Sequence, residues 1–256
     1  MSAVQASDSY FELRSQLLGP YRMNVLTPAE LANAGRLIYG DADRFSLYGI
    51  PAGRMEERGV RVLGRTVIEC AIDAYIVPVA LAVADLWSVS DPDAVVFDLF
   101  CGSGNVGYQL QRQLGCRAYA SELDPRVYEV ARSNFDHLGA AVRLEQCDYR
   151  DLIGAVSGTS DNDVYVLEPP WGPAFTAEGL NLTRTSPPIR EILRDIAKSR
   201  HDRPCLVVIK TNDQLVGDCL ADSFRGATRL RSVTPAPTLP FGANMDFHIY
   251  RVAAVD

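Results

Sequence analysis

Histidine is scarce, basic residues are outnumbered, and no cysteine pair has the spacing of a metal or redox motif. The three histidines, His137, His201 and His248, lie far apart in the chain, so no structural zinc site is expected, since such sites need clustered nitrogen and sulfur ligands. The six cysteines, Cys70, Cys101, Cys116, Cys147, Cys205 and Cys219, form no C-x-x-C and sit mostly within apolar runs. They read as buried, reduced thiols of a cytoplasmic protein. The formal net charge is −7, which runs against tight nonspecific binding to nucleic acid, because phosphate contacts require a surplus of Lys and Arg. The most apolar stretch, YIVPVALAVADLW (75–87), is too short and interrupted to span a bilayer. No basic segment leading into an apolar one opens the chain, so neither a signal peptide nor a membrane partner is expected.

What remains is an ordinary globular mixture, 47% hydrophobic and 22% charged over 256 residues, enough for one large domain or a domain with an appendage. The pattern changes near residue 93. Residues 1–92 read as a helical and hairpin region, and 93–256 as the main domain. In the first part, Thr27, Pro28 and Glu30 spell a helix start with a capping box, and Gly40 a stop. The run VRVLG (60–64) suggests a small hairpin, and 66–87 a long apolar helix kinked at Pro78. In the second part, short β-rich runs at 95–100, 117–123, 141–148, 163–168 and 205–211 alternate with helical patterns at 105–115, 125–139 and 188–200. That alternation predicts an open α/β sheet, mostly parallel, with helices on both faces. The runs 228–235 and 245–253 have no long helix between them and should pair antiparallel at the sheet edge.

VVFDLFCGSGNVG (95–107) places glycines where such a sheet binds its ligand, beyond the carboxyl end of the first strand. It contains no G-K-[ST], and its glycines, 102, 104 and 107, do not follow G-x-G-x-x-G. Asp98, just before the loop, suits an ammonium group better than a pyrophosphate. Glu122 follows about twenty residues on, where a carboxylate can receive two ribose hydroxyls. Asp148, after the third strand, could accept a hydrogen bond from an exocyclic adenine amine. A cationic amino-acid moiety, a ribose and an adenine together describe S-adenosylmethionine.

DLFCGSGNVG, ASELDPRVYEVARSN and CDYRDL resemble the first three motifs of Rossmann-like S-adenosylmethionine-dependent methyltransferases. The resemblance implies a seven-stranded sheet ending in an antiparallel strand. It also implies cofactor contacts from Asp98, Phe100, Cys101, Gly102, Gly104, Asn105, Glu122, Leu123, Asp148, Tyr149 and Glu168. EPPWGP (168–173) resembles the [DNS]-P-P-[YFW] motif of amino-methyltransferases, and most nearly the form found in guanine-N2 RNA-cap enzymes, with Glu in place of the usual shorter residue. A conjugated amine must begin to pyramidalise before it attacks a methyl carbon. The Glu168 carboxylate and the Pro169 carbonyl could accept from its two hydrogens, the prolines would keep the turn rigid, and Trp171 could stack on the substrate.

These readings predict an N-methyltransferase for a planar or conjugated nitrogen of a small molecule. The alternative is an exocyclic amine of guanine or adenine in RNA or DNA, and a non-catalytic binding protein is a third, weaker reading. Arg54, Arg61 and Arg65 are candidates to touch an anionic substrate, Tyr48 to stack or pack, and 172–188 to form a lid or substrate loop. Lys210 is assigned no role.

Overall fold

The computed structural model describes residues 3–87, 91, 93–236 and 244–253. Seven strands, β1 (Val95–Asp98), β2 (Arg117–Ser121), β3 (Val142–Glu145), β4 (Val164–Leu167), β5 (Cys205–Asn212), β6 (Thr228–Val233) and β7 (Met245–Val252), form one sheet. Their spatial order is β6-β7-β5-β4-β1-β2-β3. The five strands β3, β2, β1, β4 and β5 run parallel, and β7 is antiparallel to both β5 and β6. This is the Rossmann-like α/β architecture expected from the sequence, including the antiparallel pair at the edge. The strand order reverses between β1 and β4, and in open α/β sheets ligands bind at the carboxyl ends of strands at such a reversal.

The helices are α1 (Ala3–Leu18), α2 (Pro28–Tyr39), α3 (Ala52–Met55), α4 (Gly64–Glu69), α5 (Asp73–Leu86), α6 (Asn105–Leu114), α7 (Pro125–Leu138), α8 (Tyr149–Ala155), α9 (Ile189–Ser199) and α10 (Cys219–Ser223). Thr27 caps α2 with the expected capping box, and Gly40 ends it in the left-handed region. Two expectations fail in the first part of the chain. The apolar run 66–87 is not one helix: it breaks at 70–72, between α4 and α5, although Pro78 is accommodated inside α5. VRVLG makes a single bridge, Val25 to Leu63, while the hairpin there is Ser46–Leu47 against Ile50–Pro51.

Each central strand is buried on both faces. Val96, Val164, Val166, Leu206, Val208 and Phe247 pack against apolar residues of α1, α2, α5 and α6, in one cluster that crosses residue 93. Phe97, Tyr165, Leu167, Val207 and Ile209 pack on the other face against α8, α9 and α10. Strand side chains alternate in direction, so Asp98, Lys210 and Asn212 continue the rows of Val96 and Val208. Glu168, just past β4, continues the row of Val166. All four face the region supplied by residues 1–92.

At the opposite end of the sheet, Arg200 and Asp163 form a fully buried ion pair at 2.5 Å. Arg200 also donates to the carbonyls of Ser160, Arg203 and Pro204, and Asp163 accepts from the backbone N–H groups of Val95 and Ser160. The starts of β1, β4 and β5 are thereby tied to one guanidinium. Removing one partner leaves the other charge buried and alone, which costs about 3–5 kcal/mol. Arg200→Ala should lose about that much in urea denaturation, and Arg200→Lys should recover little, because an ammonium cannot reproduce the planar fork of donors.

Candidate active site

Beyond Asp98 the chain turns through the glycine loop into α6. Gly104, the residue before α6, has φ 76°, and a Cβ there would stand 2.4 Å from the Phe135 ring. Gly102 has φ 52° and open space where a side chain would be. The loop is clamped from several sides. Leu99 N–H donates to the Val166 carbonyl and Cys101 N–H to that of Ser121, while the Ser121 hydroxyl donates to the Leu99 carbonyl.

The N-terminal region adds its own clamp. Tyr48, itself at φ 58°, donates its backbone N–H to Asn105 Oδ1 at 2.7 Å and its hydroxyl to the Ser103 carbonyl. Its buried ring packs edge-on against Tyr108 and Phe135. Of its two expected roles, Tyr48 has the packing one. Asn105 Nδ2 donates to the Ala71 carbonyl at 2.8 Å and its backbone N–H to the Ser103 hydroxyl, so this buried residue joins loop to wall and has neither group free for the cofactor contact expected of it.

The acids stand at successive strand ends. Asp98 is 1% exposed and accepts from Gly107 N–H at 2.9 Å. Burial, then the charge of Glu168, raises its carboxyl from 3.8 to about 7. Glu122 bridges the Gly102 N–H (3.0 Å) and the Asp124 N–H (2.8 Å), and burial raises it above the usual range. Leu123 projects, 67% exposed, from the same turn. Asp148 caps α8 by accepting from Arg150 N–H. Tyr149 is buried beneath it, bonded to Asp195 and packed on Phe100. Cys101 is buried, and burial together with the Asp98 and Glu122 charges pushes its thiol well up.

At the end of β4, Glu168 Oε2 accepts from Lys210 Nζ at 2.5 Å, and the two side chains are 12% and 8% exposed. The lysine also donates to the Glu69 carbonyl at 2.9 Å and lies 5.9 Å from the Trp171 ring centre. Glu168 Oε1 is buried and has no hydrogen-bond partner. Pro169 is buried, Pro170 exposed, and Trp171 half-buried against Phe175.

Lys210 is therefore the residue that sequence reasoning missed. Its signal was there: a lone lysine in the apolar run CLVVIKTN must find a partner when the strand is buried. Of the arginines singled out, Arg65 pairs with Glu69 and Asp124 and Arg54 pairs with Glu57, while Arg61 exchanges backbone bonds with Asn134 and is itself exposed, beside Gly102 and Ser103. In the expected lid, Ala174, Leu180 and Leu182 are buried in the second core, so 172–188 is anchored along its length. Among the described residues no cluster of His, Cys, Asp and Glu could hold a metal ion, and no helix is long and apolar enough to cross a membrane.

No family model matches the chain, and no curated protein matches it. Solved structures do resemble it in the course of the chain. TrmN from Thermus thermophilus is 16% identical with a TM-score of 0.49, covering 79% of this chain and 54% of its own. A TehB-like SAM-dependent methyltransferase from Corynebacterium glutamicum is 18% identical with a TM-score of 0.42, covering 68% and 87%. Precorrin-6y C5,15-methyltransferase from Geobacter metallireducens is 16% identical with a TM-score of 0.46, covering 69% and 87%. At these values the likeness bears on neither activity nor substrate.

The Glu168–Lys210 pair generates a direct test. Lys210→Met leaves Glu168 charged and unpaired, and should destabilise the protein by about 3 kcal/mol in urea denaturation. The double variant Glu168→Gln, Lys210→Met removes both charges and should recover most of that loss. Equal stability of the single and double variants would show that the pair is not an energetic unit.

Proposed function

We propose that this chain transfers a methyl group from S-adenosylmethionine to a planar or conjugated nitrogen of a small molecule. The observation that carries the reading is the buried, unpartnered Glu168 Oε1 on a rigid proline turn, beside a glycine loop with a buried acid. A buried carboxylate oxygen without a donor is costly unless something arrives to bond it. An amine N–H is such a donor.

The residues present fit the cofactor. Asp98 is a buried carboxyl whose raised value calls for a cation, which the ammonium end provides. Glu122 uses one lone pair of each oxygen on the backbone and keeps others for ribose hydroxyls. Exposed Leu123 offers an apolar wall to adenine, and Asp148 has a second oxygen for its amine. The open space at Gly102 admits a ligand close to the backbone. When bound, the cofactor would supply an electrophilic methyl group on a sulfonium.

In this reading the chain's own residues orient and polarise the acceptor. Glu168 Oε1 and the Pro169 carbonyl accept from the acceptor's N–H groups and stabilise positive charge growing on nitrogen. Lys210, bonded to the other oxygen, fixes where Oε1 lies. Holding the nitrogen in line with the methyl group supplies most of the acceleration. The acceptor wall comes from residues 1–92, which meet the catalytic edge at Glu69, Ala71 and Tyr48. A small molecule is favoured over RNA or DNA because the net charge is −7 and because Arg65 and Lys210, two of the cations beside this edge, are spent on carboxylates, which leaves exposed Arg61 short of the cluster that phosphates need.

Two measurements test the proposal. Cofactor binding should follow Asp98. Its raised carboxyl means that the free protein is stabilised by the protonated acid at low pH and loses that contribution as pH rises through about 7. The ammonium of S-adenosylmethionine needs the charged form, so its affinity by calorimetry should rise up to about tenfold per pH unit below 7 and level off above. Asp98→Asn should bind weakly and lose that slope.

Turnover should follow Glu168. With methyl-labelled cofactor and a metabolite extract, label should enter a small molecule, and Glu168→Ala should lose at least about a hundredfold in rate, the loss of an aligned charge-stabilising acceptor. Label appearing only in total RNA would move the substrate class to nucleobases. Failure of the wild type to bind the cofactor would overturn the proposal.

A further inference from the structure

Two residues beyond Lys210, on the same face of β5, Asn212 is 1% exposed, and neither Oδ1 nor Nδ2 has a hydrogen-bond partner. Burying a whole amide without partners is expensive, and native proteins rarely tolerate it without a reason. The neighbourhood does not satisfy it. Its antiparallel neighbours on this face are Met245 and, one step back, Phe247, which are apolar. A third buried atom lacks a partner at the same corner: Asn244 Oδ1, on the residue whose backbone carbonyl accepts from Asp213 N–H. Glu168 Oε1 is the fourth, one strand over. The register of β4 against β5 puts Leu167 beside Ile209, and hence Glu168 beside Lys210. At about 3.3 Å per residue, Asn212 stands about 7 Å further along that face.

We propose that Asn212 is the specificity residue of the acceptor site, and that the acceptor presents a neutral carboxamide-type edge: a carbonyl or ring-nitrogen acceptor next to an N–H donor. This rests on the reading of Glu168 as the group that receives the reacting amine. An asparagine offers an acceptor and a donor side by side, and pairs bidentately with a partner that offers the complementary pair. Asn212 Nδ2 bonds the ligand's acceptor, Asn212 Oδ1 bonds its N–H, and Glu168 Oε1 takes a further N–H from one strand over, about 8 Å away measured between backbones, a span within reach of one small planar ligand. Three unpartnered acceptor atoms against one donor group favour a ligand richer in N–H than in acceptor atoms. An anionic acceptor is disfavoured, because its oxygens would face the unpartnered acceptor atoms Glu168 Oε1, Asn212 Oδ1 and Asn244 Oδ1.

The test uses purified full-length protein with S-adenosylhomocysteine present, and titrates benzamide, benzoate and acetophenone by saturation-transfer NMR. Benzamide carries the complementary edge, acetophenone only its acceptor, and benzoate two acceptors with a charge. Wild type should bind benzamide at least about tenfold more tightly than either control, and Asn212→Leu should bring benzamide down to the level of acetophenone. The same leucine should hold or raise the melting temperature, because it removes an unsatisfied amide at similar volume. Asn212→Asp, which keeps the acceptor and loses the donor, should lose benzamide too, and serves as the second variant if leucine misfolds. Equal binding of benzamide to wild type and variants, or no preference for it in wild type, overturns the assignment. S-adenosylhomocysteine binding is read separately in each variant: its absence from wild type would undo the methyltransferase reading, whereas its retention alongside lost benzamide selectivity isolates Asn212.

Discussion

The candidate site depends on one constraint: charged groups buried at the ends of strands that are apolar on both faces must be paired within the protein or by a ligand. β1, β4 and β5 carry no polar residue on the N-terminal face until their carboxyl ends. There the period-two alternation delivers Asp98, Glu168 and Lys210 to the same face of neighbouring strands. One cation against two carboxylates leaves a negative excess inside the fold. Lys210 is bound to Glu168, and burial, followed by the Glu168 charge, raises the Asp98 carboxyl to about 7. An edge so arranged is set to receive positive charge, which is the ground for the roles proposed for Asp98 and Glu168.

The first third of the chain makes this burial hold. Its helices share one hydrophobic cluster with the sheet, and polar ties reach from it to the carboxyl-end edge, among them Glu69 carbonyl to Lys210, Ala71 carbonyl to Asn105, and Tyr48 to Ser103 and Asn105. Two of them come from the segment where α4 gives way to α5. An unbroken helix there would spend the carbonyls of Glu69 and Ala71 on its own ladder. The break leaves them pointing at the sheet, so the irregularity and the polar contacts have one cause.

Much of this was legible in the sequence, for a physical reason. Open parallel sheets bind at their carboxyl ends, so acids and glycines next to β-rich runs point to those ends before any coordinates exist, and the structure places Asp98, Gly102, Gly104, Glu122 and Asp148 there. The antiparallel edge was legible because 228–235 and 245–253 lack the helix that a parallel crossover requires. The break at 70–72 was not: Cys70, Ala71 and Ile72 contain no Pro or Gly, and the carbonyl bonds that favour the break are made to residues far along the chain. Tyr48 at φ 58° was equally hidden, since the bonds that accompany its left-handed conformation, to Ser103 and Asn105, are made to residues more than fifty positions away. Asn105 and Lys210 were visible as residue types, but their partners lie 34 and 141 residues away, a separation that local pattern cannot bridge.

The glutamate at 168, longer than the residue in the motif that EPPW resembles, becomes intelligible in these terms. It divides its two oxygens between tasks. Oε2 is held by Lys210, and Oε1 is left buried and open. The lysine is in turn fixed by the Glu69 carbonyl and stands beside the Trp171 ring. One anchored oxygen makes the other a positioned acceptor rather than a freely rotating one, because a carboxylate bound at one end cannot swing without breaking a charge-assisted bond. Proline on its C-terminal side restricts the backbone as the lysine restricts the side chain. The extra methylene is thus tied to the lysine: the two residues together achieve the rigidity that a shorter acid or amide would have to obtain from its own backbone.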